Sequence, residues 1–509
     1  MQIRKGFLHY YIVSTAFIAL AMPAQGQEIA LAKLGAAPSH RTALESAITT
    51  PYFNTKALHQ AFATMDSHGL RAEYYQAELA RLQSIHSESK QFATHQAMLV
   101  REAIADLRYG LGRNNSAKAK QERMAELDEL TARLAQCKDI AGCLQQLAAR
   151  DRQYIPLQMM LAEYREIEAQ GGWPQVPAGA KLELGAQGER VQALRQFLTQ
   201  TGDSSEDDSE SILFDEILET AVKRFQSRHG LEADGIVGPK TLQSINTPIS
   251  KRIEQIELSM DRLRQLPQAQ GPHIRVNIPS YRLQAFDGEA LALEMEVIVG
   301  QVSRKTPLFD NAITSLVLNP TWTPTPRIIR EDILPKVRNN PAYLSGGYVV
   351  TNNYTGEQID PTMIDWSMVE AGDVRIMQRS GAGNALGKIK FDMPSSDAIY
   401  LHDTSKPYLF KESYRALSSG CIRVSQPDKL LRYVASVQGE DFAQKATKQY
   451  QSTAHTSLKL AKPVPVKATY FTAWVNKHGQ IEFYGDVYQR DASARLAWNK
   501  MSNRQYVSR

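Results

Sequence analysis

The spacing of apolar residues changes at Pro272, and this change bounds what the chain can fold into. Upstream, the stretches 42–65, 72–111 and 121–136 are rich in Ala, Leu, Glu, Gln and Arg. Their apolar residues recur every three or four positions, the period of an α-helix with one buried face. Downstream, 273–278 and 282–286 alternate apolar and polar residues, with Asp287-Gly288 as a hairpin turn, and the strand pattern continues through 293–300 and 314–319. A chain of 509 residues is too long for one core, so two to four domains are expected. The expected class is multidomain α+β, with a helical N-terminal scaffold and a mainly β domain after it.

Composition works by exclusion. A net charge of +5 over this length is too mild for a dedicated nucleic-acid binder, yet it tolerates an anionic polymer as a partner. Arg4 and Lys5 precede an apolar run at 10–22, and small residues come next around Ala24-Gln25-Gly26. That is the order of a secretory leader cleaved after Gly26, with an uncleaved anchor as the alternative. Export would put Cys137 and Cys143, six positions apart, where a small-loop disulfide can form. Cys421 is then the odd thiol.

A histidine lies nineteen positions before that thiol. It sits in Ile399-Tyr400-Leu401-His402-Asp403-Thr404, and the cysteine in Ser418-Ser419-Gly420-Cys421-Ile422-Arg423-Val424. The first run would deliver His402 at a strand end, and the second is a small-residue turn leading back into extended chain. A thiol beside an imidazole is the minimum for covalent acyl transfer. Gly420 and Cys421 could supply oxyanion amides, with Ser419 in the same turn. Tyr400 is a candidate for an orienting or oxyanion role. Arg423 either anchors a substrate carboxylate or braces the loop. Asp403, Ser418 or a backbone carbonyl could orient the imidazole. The alternative is a buried structural cysteine and an unrelated histidine.

His402-Asp403-Thr404 together with Ser418-Ser419-Gly420-Cys421-Ile422-Arg423 resembles the signature of the L,D-transpeptidases, enzymes that cross-link peptidoglycan. Many members have His immediately before Gly-Cys where this chain has Ser419; the larger, Gram-negative type resembles the form seen here. Earlier in the chain, Gly171-Gly172-Trp173-Pro174 ends the helical pattern. Phe225-Gln226 with Asp234-Gly235-Ile236-Val237-Gly238-Pro239 then resembles the small three-helix peptidoglycan-binding domain. The acidic run 202–210 reads as a solvated loop. The organisation implied is a leader at 1–26, a helical scaffold at 27–180, the binding domain at 181–247, a connecting helix at 248–270 and the catalytic domain at 271–509. In the last, a Trp-, Tyr- and Pro-containing insertion at 320–378 resembles the family's substrate cap, and C-terminal strands fill 446–509, including a hairpin at 466–488 that closes on the catalytic domain. Trp322 and Tyr354 are candidate substrate contacts.

The resemblance implies a thioester at Cys421 with His402 as base, 3→3 cross-links, a periplasmic site and susceptibility to carbapenems. It implies peptidoglycan stem peptides as donor and acceptor, admits other cell-wall enzymes as partners, and calls for no cofactor or metal. An L,D-carboxypeptidase, a protein-to-wall attachment enzyme and a non-catalytic wall-binding scaffold remain alternatives. A papain-like protease is disfavoured because it places Cys before His.

Overall fold

The computed structural model describes residues 51–502, apart from 87–89, 114–115, 149–150, 205–209, 267–269 and 395–397. The leader read at residues 1–26 lies outside the described residues. Among the described residues, five α-helices build the scaffold core: Thr55–Ala63, Ala72–His86, Lys90–Tyr109, Ala117–Ala135 and Ile140–Leu147. They share a core that includes Phe53, Phe62, Leu79, Leu99, Ile104 and Leu144. Asn54 caps the first by accepting from the Ala57 N–H, which satisfies one of the unpaired amides of a helix start. Cys137 and Cys143 are joined by a disulfide, which leaves Cys421 as the free thiol.

The next helix, Tyr154–Ala169, packs away from the scaffold core and into a second one. Its Leu157, Leu161 and Tyr164 share that core with the three-helix module formed by Glu189–Gln200, Glu216–Arg228 and Pro239–Ile245. The two sequence signals of that module meet in space. The Gln226 amide donates to Asp234 Oδ1 at 2.7 Å and to the Ile236 carbonyl at 3.0 Å, and its oxygen accepts from the Gly235 N–H at 2.8 Å. Gly235 sits at φ +78°, a conformation that costs little without a Cβ. The acidic run is not wholly solvated. Asp203 is fully buried and receives the Arg228 guanidinium, whose Nε lies at 2.8 Å. A buried arginine without a nearby carboxylate would be costly, and the turn supplies one.

Helix Ile249–Arg264 joins the module to the strands. Ile253, Ile256, Met260 and Leu263 are buried as their spacing suggested, but so are Arg252, Asp261 and Arg264. Arg264 donates to Tyr154 Oη at 2.7 Å and to the His68 carbonyl, and Asp261 accepts from the Leu111 and Gly112 amides. This helix is therefore buried on more than one face, and its charges tie the scaffold to the rest.

The strands of the second half are, in chain order, β1 (Pro272–Asn277), β2 (Arg282–Asp287), β3 (Ala290–Gly300), β4 (Asp310–Leu318), β5 (Tyr348–Asn352), β6 (Gln358–Ile359), β7 (Val374–Gln378), β8 (Ile389–Asp392), β9 (Leu401–His402), β10 (Ala416–Ser418), β11 (Ile422–Val424), β12 (Thr456–Thr469), β13 (Ala473–Val475) and β14 (Ile481–Phe483). Nine of them make one sheet in the order β10-β3-β11-β9-β8-β4-β12-β1-β2, and β2 also pairs with β3, so the sheet closes on itself. Its interior is filled by Ile274, Val276, Val297, Val299, Leu316, Phe391, Leu401 and Val466. Helix Pro427–Ser436 packs against it through Leu430, Leu431 and Val434.

The insertion has its own three-stranded sheet, in the order β6-β5-β7. It also has a separate core of Ile329, Ile333, Val337, Leu344, Val350, Trp366 and Ile376. Its two ends meet where the Trp322 N–H donates to the Gln378 carbonyl at 3.0 Å and the Gln378 N–H returns the bond at 2.7 Å.

The C-terminal segment departs from expectation: within 446–509, residues 446–451 end a helix, Glu440–Gln451, and Arg490–Ser502 is another, and of the hairpin only 466–469, the end of β12, joins the catalytic sheet. β13 and β14 pair with each other, and Trp474, Val475, Ile481 and Phe483 bury against the helical module instead of the catalytic sheet. The Gln153 amide pairs both ways with the Val475 backbone, at 2.9 and 3.0 Å, and Arg228 donates to the Ile481 carbonyl. The alternation was sound. What it could not say is which surface the apolar side would meet.

Candidate active site

The site is built where two short strands run side by side. β9 and β11 are parallel, with Leu401 opposite Ile422 and His402 opposite Arg423. On its other edge β9 pairs with β8, which sets Lys390 opposite His402. His402 is thus flanked by a cation on each neighbouring strand. It is also buried. Burial, then the Arg423 and Lys390 charges, push the imidazole down to about 3, so it is neutral near pH 7.

The His402 Nδ1 lies 2.5 Å from the backbone carbonyl of Asp403. A carbonyl only accepts, so Nδ1 carries the proton and Nε2 presents a lone pair. This selects among the three orienting groups that the sequence left open. Asp403 itself is occupied elsewhere, accepting from the Lys388 N–H at 2.8 Å and the Thr404 N–H at 2.7 Å. The Ser418 hydroxyl donates to the Cys421 carbonyl at 2.5 Å.

Cys421 begins the return into β11 and is partly exposed. Its neighbour across the strands is Tyr400, whose backbone and hydroxyl both hydrogen-bond the sulfur. Desolvation pushes the thiol up; those two bonds and the Lys390 and Arg423 charges act against it. The sulfur also lies 3.6 Å from the carbonyl of Ala398, which is held at φ +51°. A non-glycine residue in that region is uncommon, and such strain collects at working sites. Tyr400 ties the site together. Its ring meets His402 edge-on at 5.6 Å between centroids, Lys390 Nζ sits 4.4 Å over it, and Trp322 hydrogen-bonds its hydroxyl.

Other expectations fare differently. The Gly420 amide is not aimed at the sulfur, because it donates to Ser418 Oγ at 3.1 Å, while the Gly420 carbonyl accepts from Thr306 Oγ1 at 2.7 Å. Gly420 serves the turn instead: φ is +120°, and a Cβ there would come to 3.4 Å from Ile399 Cδ1. The Ser419 hydroxyl is held by Arg304 Nη1 at 2.8 Å. Arg423 is largely buried and its Nε has no hydrogen-bond partner, so the loop-bracing reading leaves one donor unused. Tyr354 is not drawn in. It lies between β5 and β6, 80% exposed, with its hydroxyl on Asp373 at 2.9 Å.

Lys390 was missed in the sequence. The alternation Ile389-Lys390-Phe391-Asp392 marks it as facing away from the core, but its place beside His402 depends on a pairing that no local pattern encodes. Among the described residues no cluster of His, Cys, Asp and Glu could hold a metal ion.

Residues 271–464 match the family described as "L,D-transpeptidase catalytic domain", and residues 187–245 match "Putative peptidoglycan binding domain". The chain therefore carries a catalytic domain of the L,D-transpeptidase family joined to a peptidoglycan-binding domain. A Haemophilus influenzae protein named "Putative L,D-transpeptidase" is 38% identical over 264 residues, covering 51% of this chain and 53% of that protein. The match thus spans about half the length of that relative. Among solved structures, an L,D-transpeptidase from Stackebrandtia nassauensis aligns at 13% identity with a TM-score of 0.24, over 58% of this chain and 96% of its own. One from Xylanimonas cellulosilytica aligns at 14% identity with a TM-score of 0.18, over 58% of this chain and 99% of its own.

Proposed function

We propose that this protein is an L,D-transpeptidase that closes 3→3 cross-links between peptidoglycan stem peptides in the periplasm, through a thioester at Cys421. The observation that carries the reading is a free thiol hydrogen-bonded by Tyr400, one strand from a neutral His402 whose Nε2 presents a lone pair. It lies in a catalytic domain that shares its chain with a module for binding the same polymer.

In the resting chain both thiol and imidazole are neutral. As the donor stem binds, His402 takes the proton from Cys421, and Lys390 and Arg423 steady the thiolate. The sulfur attacks the carbonyl at the L-centre of the diaminopimelate residue. The amide to the terminal D-alanine breaks, and the protonated imidazole gives its proton to the leaving amine. Tyr400 and the Cys421 amide are the groups placed to steady the oxyanion, since the Gly420 amide is engaged. The side-chain amine of a second stem then attacks the thioester, restoring the thiol and forming the cross-link. Arg423, whose charge acts on the Cys421 thiol, is the candidate to anchor a stem carboxylate. Among the described residues no helix is long and apolar enough to cross a membrane.

The test is mass spectrometry of stem tetrapeptides incubated with the full chain. Cross-linked dimers and free D-alanine are expected, together with a carbapenem adduct on Cys421. Cys421→Ala should yield none of them, and His402→Ala should lose about 10²–10⁴-fold in rate. Tripeptide without dimer would instead make the protein an L,D-carboxypeptidase. Full activity in the alanine variant would end the thioester reading.

A further inference from the structure

We propose that Arg304 is a positioning residue that latches the insertion to the Cys421 turn, so that docking of the insertion sets the place of the nucleophile. The proposal rests on the reading of Cys421 as the reactive thiol. The insertion is built as one piece. It has its own core and its own sheet, and its two ends meet at the Trp322–Gln378 bridge. Something other than that stem must fix where its body lies.

Beyond the stem, where Trp322 hydrogen-bonds Tyr400 and the Arg379 N–H donates to the Gly347 carbonyl at 2.7 Å, the hydrogen bonds and ion pairs found among the described residues between the insertion's body and the rest of the catalytic domain are those to Ser303 and Arg304. Arg304 grips Asp332 with both terminal nitrogens, at 2.5 and 2.7 Å, and its Nε donates to Glu331 at 3.0 Å. Beside it, Arg327 donates to the Ser303 carbonyl at 3.1 Å and to Glu331 at 2.9 Å. The same Arg304 Nη1 donates to Ser419 Oγ at 2.8 Å, two residues before the nucleophile. One guanidinium therefore holds the cap with one set of contacts and the Cys421 turn with another.

Local structure on each side fits this use. Glu331 and Asp332 fall in a five-residue π-helical turn, Ile329–Ile333, whose end residues are buried in the insertion core. π-turns are rare and recur at functional sites. This one carries two adjacent carboxylates to the same cation. On the other side, Thr306, two residues past Arg304, donates to the Gly420 carbonyl at 2.7 Å and accepts from the Gly300 N–H at 2.8 Å. Segment 300–306 is thus stitched to the turn by backbone as well as side chain, and a pull on Arg304 reaches Gly420. The Arg304 side chain is only 9% exposed, so its bidentate pair is firmer than a surface ion pair.

The experiment uses the full chain, with Arg304→Met, Arg304→Lys and the paired Glu331→Gln/Asp332→Asn as variants. Two quantities are read: kcat for dimer formation from stem tetrapeptides, and the pH profile of Cys421 alkylation by iodoacetamide. Arg304→Met and the acid-pair variant should each lower kcat about tenfold or more. Each should also move the alkylation midpoint to lower pH, because an undocked insertion readmits water to a desolvated thiol. Combining them should cost no more than either alone, and Arg304→Lys, which keeps the charge but not the fork, should fall between. Wild-type kcat and alkylation profile in the acid-pair variant, which alters only part-exposed side chains, would overturn the latch even if Arg304→Met fails to fold. So would fully additive losses. A wild-type chain with no dimer and an inert Cys421 would instead defeat the underlying reading.

Discussion

The same two cations act in opposite senses on the two reactive groups. After burial, the larger cause, Arg423 and Lys390 help hold the His402 imidazole unprotonated, and they favour the ionised form of Cys421. Tyr400 adds a hydrogen bond that favours the thiolate. Hydrogen bonds to charged groups are worth about 1.5–3 kcal/mol. Tyr400→Phe should therefore slow alkylation of Cys421 at pH 7.5 by roughly tenfold or more, with the rate recovering as the pH is raised. A pH-independent loss would mean that the ring, and not the hydroxyl, matters. At this scale the sequence singled out residue types: one cysteine with no neighbour to pair with, and a histidine in a strand-like run. It did not show their surroundings. Those depend on a parallel register between β9 and β11 and an antiparallel one between β8 and β9, set by contacts far apart in the chain.

Elements show the same division. The insertion's ends already lie within hydrogen-bonding distance at Trp322 and Gln378, so residues 325–375 can be replaced by a short turn without stretching the sheet. The product should fold, and it should convert more of its thioester to tripeptide by hydrolysis, because a docked cap keeps water from a waiting acyl group. The ratio of dimer to tripeptide, measured by chromatography of the digest, should fall; an unchanged ratio would make the insertion a packing element. The early strands were legible because their alternation is regular. β12 was legible only in its last residues, from 466, because Pro463 and Pro465 interrupt its alternation. The structure accommodates both. Pro463 falls inside the register shift between Lys459 and Val464, Pro465 lies opposite Ala312 of β4, and β1 joins only from Val466 onward. Proline lacks the N–H that a second neighbour would need.

Across the whole molecule, the scaffold, the binding module and the sheet meet around helix Ile249–Arg264, and His68 is buried in that junction. Its Nδ1 is 3.0 Å from Tyr154 Oη, and burial, with Arg264 nearby, pushes it down to about 4. An unfolded histidine protonates near 6.5. Between those values the unfolded chain takes up a proton that the folded one refuses, so stability falls as pH drops from about 6.5 to about 4 and levels off below. The site accounts for on the order of 3 kcal/mol across that window. His68→Gln should remove about that much of the pH-dependent loss of unfolding free energy, read by calorimetry as a flatter curve of Tm against pH; parallel curves would assign the acid lability elsewhere. The closure of the nine-stranded sheet has a consequence in time. β12 stands between β4 and β1, yet it is the last of the nine to be synthesised. A ribosome that has delivered thiol, imidazole and insertion has still produced a hoop with one stave missing, and its two bare edges are open to other chains. Cys421 thus sits on a closed sheet only once the chain has been extended to residue 469.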